Sequence, residues 1–217
     1  MSLLIELQYL PPVQYFAKFA QYESVLLEQK ENYTKGSYRN RCYIAGANGV
    51  LLLSIPLEKG KNEQQNIRQT RIANDKGLWQ NQHWRAIRSA YGNSPFFDYY
   101  ADGLESFYKK EYEYLFDFSL DLLKWLLEKL RLETTIKFTE TYEKEVAGNI
   151  ADWRNGIHPK KHRQRKDPDF EAAYYAQAFE DRHGFLPNLS ILDLLFCTGP
   201  QAGMVLEECL VSKNKSK

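Results

Sequence analysis

The sequence predicts an α/β fold: a mixed central β-sheet of about five strands, with helices concentrated in the C-terminal half. Three observations carry this. The chain opens on a strand, a helix and a strand in quick succession, an order that favours a parallel pair. Asn48-Gly49 lies between two β-rich runs and signals a hairpin, because both residues tolerate positive φ. From Trp79 onward, apolar residues recur at helical spacing. Because the helices cluster late, an α+β arrangement is the alternative.

The elements follow in order. Residues 3–7 form an apolar run that must end at Pro11-Pro12, since paired prolines cannot continue a ladder. Pro12 then opens a helix with Tyr15, Phe16, Phe19 and Tyr22 on one face. Residues 24–28 read as the second strand, and 30–39 as a polar, Tyr-rich loop. Residues 41–45 and 50–57 flank the hairpin turn, a charged loop spans 58–69, and 70–72 are a short strand. A helix follows over 79–91. Ser94-Pro95 should cap the next, through Tyr108, because Ser at the N-cap and Pro at N1 is a preferred pair. Residues 117–130 are helical and 134–139 a strand. Phe170, Tyr174, Ala178 and Phe179 suggest a helix over 169–183. Ser190, with Asp193 three residues on, caps a helix over 190–196, Gly199-Pro200 breaks it, and a last helix covers 204–211.

A length of 217 residues suits one domain. It is placed at 1–211, with a basic loop at about 147–168 and a disordered tail at 212–217. Lys+Arg 29 against Asp+Glu 28 leaves a net charge of +1, which removes the global electrostatic case for a nucleic-acid or anionic-membrane partner. Cys42, Cys197 and Cys209 contain no CxxC pair, so no zinc ribbon or thioredoxin-type site is expected, and a reducing, cytoplasmic compartment is. The N-terminus lacks a basic n-region. The longest apolar stretch, 114–132, is broken by Asp117, Asp121, Lys124, Glu128 and Lys129, so no membrane span is expected. Walker A, GxGxxG, HExxH and GxSxG motifs are absent, and no cofactor or metal ligand set is indicated.

The densest polar segment, 28–41, follows the second strand, and ligands in α/β sheets gather beyond strand C-termini. It supplies Glu28, Tyr33, Lys35, Arg39, Asn40 and Arg41. Arg beside Asn suits phosphate or carboxylate, since guanidinium is a planar fork of donors. Arg39 and Arg41 straddle a strand start and should point the same way. His83 is a candidate general base near a helix start, although a single His is more often structural. The run 160–166, Lys-Lys-His-Arg-Gln-Arg-Lys, is a solvated loop or a lid over an anion. It lacks the interleaved aromatics that stack single-stranded nucleic acid.

Several segments in order resemble the WbqC-like protein family: Tyr9-Leu-Pro-Pro-Val-Gln-Tyr-Phe16, Glu31-Asn-Tyr-Thr-Lys-Gly-Ser-Tyr-Arg-Asn-Arg-Cys42, Asn48-Gly49, Ser54-Ile-Pro56, His83-Trp-Arg-Ala-Ile-Arg-Ser-Ala-Tyr91, Ser94-Pro-Phe-Phe-Asp-Tyr-Tyr100 and Leu189-Ser-Ile-Leu-Asp-Leu-Leu-Phe196. The likeness runs from about Leu4 to Leu206 and is weakest over 147–169. Asn40-Arg41, Pro56, His83, Tyr91 and Pro95 match the family pattern, while its usual Gln-Pro opening reads Gln8-Tyr9 here. The resemblance implies a role in bacterial surface-polysaccharide (O-antigen) production, with transfer of an aminoacyl group such as glycine onto a sugar as one proposal. The expectation is therefore a transferase acting on a sugar or sugar nucleotide. His83 and Glu28 are the catalytic candidates, and Lys35, Arg39, Asn40, Arg41, Tyr9 and Tyr33 the anion-binding ones. The expected partner is an anionic small molecule, a nucleotide sugar or a phosphorylated acyl donor. The alternative is a non-catalytic binding or assembly factor of the same pathway, with exposed Tyr clusters at Tyr99-Tyr100 and Tyr112…Tyr114 as its interface.

Overall fold

The computed structural model describes residues 1–58, 65–73, 75–146 and 148–211. Strand β1 (Ser2–Glu6) is buried from Leu3 to Glu6, as a central parallel strand must be when both faces are covered. Helix α1 (Val13–Gln21) crosses over, and β2 (Ser24–Glu28) returns parallel to β1, with Glu6 level with Glu28. Two later strands complete a four-stranded sheet in the order β5-β2-β1-β6. They are β5 (Thr135–Phe138) on β2 and β6 (Ile150–Asp152) on β1, both parallel.

The hairpin at Asn48-Gly49 forms, joining β3 (Arg41–Gly46) to β4 (Gly49–Ser54) antiparallel. It stands as a separate two-stranded sheet. The α/β class and the late helices are therefore as expected, but the strands divide between two sheets instead of sharing one of about five. The cause lies in the edges: β5 occupies the free side of β2 and β6 that of β1, so neither is open to β3 or β4. Residues 70–72 make only isolated bridges, Arg71 to Tyr114 and Ile72 to Leu57.

Helices α2 (Leu78–Tyr91), α3 (Phe97–Lys109) and α4 (Leu115–Lys129) fall within a few residues of expectation. Ser94-Pro95 is not the start of α3. Its N-cap is Phe96, and Ser94 instead donates its N–H to the Tyr91 carbonyl, forming the turn between the two helices. The helix over 169–183 shrinks to α5 (Glu180–His183). The rest of that segment spends its polar groups on the C-terminal helices. Glu171 N–H donates to Cys209, Val211 N–H to Asp169, and the Tyr175 hydroxyl to Asp193 at 2.8 Å. The apolar period was misread there: Tyr174, expected inward, is 65% exposed, and Tyr175 is buried. Helix α6 (Ile191–Thr198) begins as expected, with the Ser190 hydroxyl accepting from Leu192 N–H. Asp193 does not close a capping box, because its carboxylate takes Tyr175 and Gln177. Helix α7 (Ala202–Glu208) follows a 3-10 turn at Gly199-Pro200.

One hydrophobic cluster joins the sheet, the hairpin and α1–α4, α6 and α7. Among the described residues no helix is long and apolar enough to cross a membrane, and no group of three His, Cys, Asp or Glu is placed to hold a metal. The tail at 212–217 and part of the charged loop, 59–64, lie outside the described residues.

Candidate anion-binding site at the carboxyl end of the parallel sheet

Strands β1 and β2 both end on a buried glutamate, and the shared register sets Glu6 and Glu28 side by side. Glu6 accepts from Gln8 Nε2 at 2.7 Å and from Asn155 N–H at 2.8 Å. Glu28 accepts from Lys30 N–H at 2.8 Å, from the Thr139 hydroxyl at 2.7 Å and from Arg154 Nη1 at 3.1 Å. A third carboxylate, Glu31, receives Arg39 through Nε at 2.7 Å and Nη2 at 2.5 Å. Burial opposes the charge on Arg39, yet the Glu31 and Glu6 carboxylates hold its guanidinium above its ordinary range. Arg154 is likewise raised, first by its hydrogen bonds to Asp152. Charges this deep persist only when each is paired, so the network fixes the geometry of the strand ends.

Beside it opens a cleft of 580 Å³ lined by Tyr33, Thr34, Lys35, Gly36, Arg41, Lys160 and Arg163. Four of these seven residues are cations and none is an acid, so the field inside favours an anion. Two segments far apart in sequence build the wall. Gly36 sits where they meet, beside the Lys160 side chain, and its φ of +81° is backbone that favours glycine.

The expected site residues separate into three groups. Lys35, Arg41 and Tyr33 line the cleft. Arg39, Asn40 and Glu28 are committed to other protein groups. Arg39 grips Glu31, Asn40 takes the Tyr33 hydroxyl at 3.0 Å and the Ile55 carbonyl at 2.9 Å, and Glu28 takes Arg154. Arg39 and Arg41 do not point the same way. Arg39 lies in a 3-10 turn, Tyr38–Asn40, where strand alternation does not apply, and it turns inward. Tyr9 and His83 form a third group. The Tyr9 hydroxyl lies 2.8 Å from His83 Nδ1 and 2.7 Å from the Tyr108 hydroxyl, with Trp79 and Phe118 packed around them. Burial pushes the imidazole down to about 4, so His83 is neutral at neutral pH.

The basic loop is more ordered than its composition suggests. It contributes β6, and Arg165 donates to the Asp152 carbonyl at 2.7 Å while stacking over Trp153. At its far end Asp167 pairs with Lys18, itself fully buried on α1, at 2.7 Å. Pinned at both ends, the segment is a wall of the cleft more than a free lid, and Lys160 and Arg163 are what it presents there.

The sequence reading gave no site role to Glu6, Gln8, Glu31 or His158, and took Arg154, Lys160 and Arg163 only as part of the basic loop. Glu6 carried a signal, since like Glu28 it closes an apolar strand. The pairing of Arg154 with Glu28, 126 residues away, carried none.

The exposed tyrosine clusters expected of a binder do not form. Tyr99 is 78% exposed, but Tyr100 is buried and Tyr112 partly so. Three consecutive exposed apolar residues lie instead on β4, at Val50, Leu51 and Leu52.

Fold and site together define an α/β protein with a cationic cleft at the carboxyl edge of a short parallel sheet. Comparison with known sequences makes the assignment specific: residues 8–165 match the profile of the WbqC-like protein family, and the chain belongs to it. The match runs into the basic segment, where likeness had looked weakest, and takes in His158, Lys160 and Arg163 but stops short of α6. A protein of Mycobacterium tuberculosis described as uncharacterized, Rv1507c, is 25% identical over 232 residues, covering 95% of this chain and 97% of that one. No solved structure matches.

Proposed function

We propose that this protein is a transferase that modifies a sugar or sugar nucleotide in surface-polysaccharide biosynthesis. Family membership supports the pathway. The observation that carries the reading is the cleft: Lys35, Arg41, Lys160 and Arg163 around 580 Å³ with no acid in the lining. A nucleotide sugar or a phosphorylated acyl donor brings the missing negative charge, and two guanidiniums with two ammoniums stabilise the charge that develops on its leaving group. Glu28, the expected base, would first have to release the Thr139 hydroxyl and Arg154 Nη1 that it holds at the strand end. His83 has a supporting place, holding the Tyr9 hydroxyl within the aromatic cluster. The cytoplasm, where activated sugars are made and where the free thiols Cys42, Cys197 and Cys209 stay reduced, belongs to the same reading.

Thermal-shift measurements across nucleotide sugars and acyl phosphates test it. A melting temperature raised by several degrees by at least one phosphorylated ligand, with the rise shrinking as salt increases, is expected. No shift with any of them overturns it. The exposed row Val50, Leu51 and Leu52 favours the second reading, a binding or assembly factor of the same pathway. Ligand binding without turnover, together with association lost on Leu51→Ser, would favour that one.

A further inference from the structure

Lys160 and Arg163 reach the cleft from a loop whose shape their own side chains do not set. They bracket a 3-10 turn, Lys161–Arg163, in which Arg163 N–H donates to the Lys160 carbonyl at 2.9 Å. Lys160 is the N-cap of this turn and makes no side-chain cap, since an ammonium has no acceptor to offer. The loop closes further back, where Arg165 N–H donates to the Gly156 carbonyl at 2.9 Å. Its stem is tied to the carboxyl end of β1: Asn155 N–H donates to Glu6 at 2.8 Å, and Gln8 Nε2 to the Ile157 carbonyl at 3.2 Å. Between this stem and the cationic tip lies His158, 2% exposed.

Two hydrogen bonds tie His158 to the tip. Its Nδ1 accepts Lys160 N–H at 3.0 Å, and its carbonyl accepts Gln164 Nε2 at 2.8 Å. The first has the form of an Asx-turn, in which an Asn or Asp side chain accepts from the backbone N–H two residues on. A backbone N–H only donates, so Nδ1 carries the lone pair and the neutral ring has its proton on Nε2. Burial, and after it the Arg163 charge, hold the imidazole below its ordinary range, so that lone pair is present at neutral pH. Nε2 has no partner among the described residues. The polar work of this side chain is therefore done by Nδ1, and it is done on the backbone of a residue that lines the cleft.

We propose that His158 is a positioning residue for the anion cleft: its Nδ1, by holding Lys160 N–H, fixes the turn that presents Lys160 and Arg163 to the ligand. This rests on the cleft being the anion site. His158 is not among the residues that line the cleft and touches no ligand itself. Its effect reaches an anion only through the two cations on the turn. Cations on a fixed turn bind more tightly than cations on a loose one, because less freedom is lost when the anion arrives.

Isothermal titration of the full chain with inorganic pyrophosphate at low salt and neutral pH tests this. The unmodified protein is expected to bind, and Lys160→Ala combined with Arg163→Ala to weaken binding by about tenfold or more. His158→Asn puts an amide oxygen where Nδ1 stood and should keep the affinity within about twofold of the unmodified protein. His158→Gln puts its amide at the place of Nε2, leaves Lys160 N–H unheld and should weaken binding about fivefold. Made in the chain that already carries Lys160→Ala and Arg163→Ala, His158→Gln should cost less than about twofold, because a residue that acts through those two cations has nothing left to act on. A merely structural histidine would not give that pattern. Equal affinity in the unmodified, His158→Asn and His158→Gln proteins overturns the proposal, and so does a fivefold loss that persists without the two cations. Either result leaves the anion cleft standing. No binding of pyrophosphate by the unmodified protein, or binding indifferent to the loss of Lys160 and Arg163, overturns the cleft and the role of His158 with it. If His158→Gln does not fold, His158→Leu takes its place with the same expectation. If neither folds, the histidine is a structural residue and the proposal falls.

Discussion

Lys18 is wholly buried, held by Asp167 at 2.7 Å and lying 4.2 Å over the Trp153 ring. Removing one member of such a pair strands the other, so Lys18→Met is expected to lower unfolding stability by about 3–5 kcal/mol. Adding Asp167→Leu should recover most of it, and urea denaturation of both variants checks this. His83 makes a second prediction, through pH. Its folded value, about 4, lies below the 6.5 of the unfolded chain, so the folded state binds fewer protons between those values. The stability this contributes is fully present above 6.5 and is lost as pH falls toward 4, by at most about 3 kcal/mol. His83→Gln keeps a partner for Tyr9 and should flatten the stability profile in that window relative to the unmodified protein. An unchanged profile would mean the imidazole is not desolvated as described. At this scale the sequence was legible where side-chain chemistry is local. Lys35, Tyr33 and Arg41 were identified from one polar segment after a strand, and they do line the cleft. Arg39 was misjudged because a single 3-10 turn reverses it toward Glu31, and nothing in the order Tyr-Arg-Asn announces that turn.

Elements were most legible where one physical signal dominates. Asn48-Gly49 made its hairpin, Pro12 opened α1, and Ser190 capped α6. They were least legible where tertiary partners outbid local preference. The segment after Pro168 has helical spacing, but Gln177 donates to the Leu186 carbonyl at 3.0 Å, accepts from Leu186 N–H at 2.7 Å and reaches Asp193 at 2.7 Å. Gln177→Ala removes all three and is expected to destabilise the protein by about 2 kcal/mol, because the half-buried Leu186 backbone and the buried Asp193 carboxylate each lose a partner. Circular dichroism should show no gain of helix. Gly199, at the end of α6, is a stricter case. Its φ is +55°, and a Cβ there would lie 2.4 Å from Phe96 Cδ1. Gly199→Ala combines backbone strain with a steric clash and should cost about 3 kcal/mol in a denaturant titration. Strand β6 was missed because Ile150–Asp152 is three residues long and sits in Gly- and Asn-rich surroundings. Its pairing partner, β1, lies at the other end of the chain.

Across the whole molecule, a net charge of +1 conceals a strong separation of charge. Glu28, at the end of β2, pairs with Arg154 and Glu31 pairs with Arg39, while Lys35, Arg41, Lys160 and Arg163 line the cleft together. Composition reports only the sum, which is why a cationic cleft walled by two distant segments could not be read from it. The wall from the basic segment arrives there because β6 docks on β1 and Asp167 docks on Lys18, contacts separated by more than a hundred residues. The division of the strands between two sheets has the same origin, since late strands claim the edges that early ones leave open. The most direct measurement is a crystal structure of the full chain with a bound nucleotide sugar, locating its phosphorus atoms. The account predicts a phosphate within ion-pairing distance of Arg41 and Lys160, between the 28–41 segment and the basic wall. Phosphates seated elsewhere, with Lys35, Arg41, Lys160 and Arg163 all left facing solvent, would contradict it.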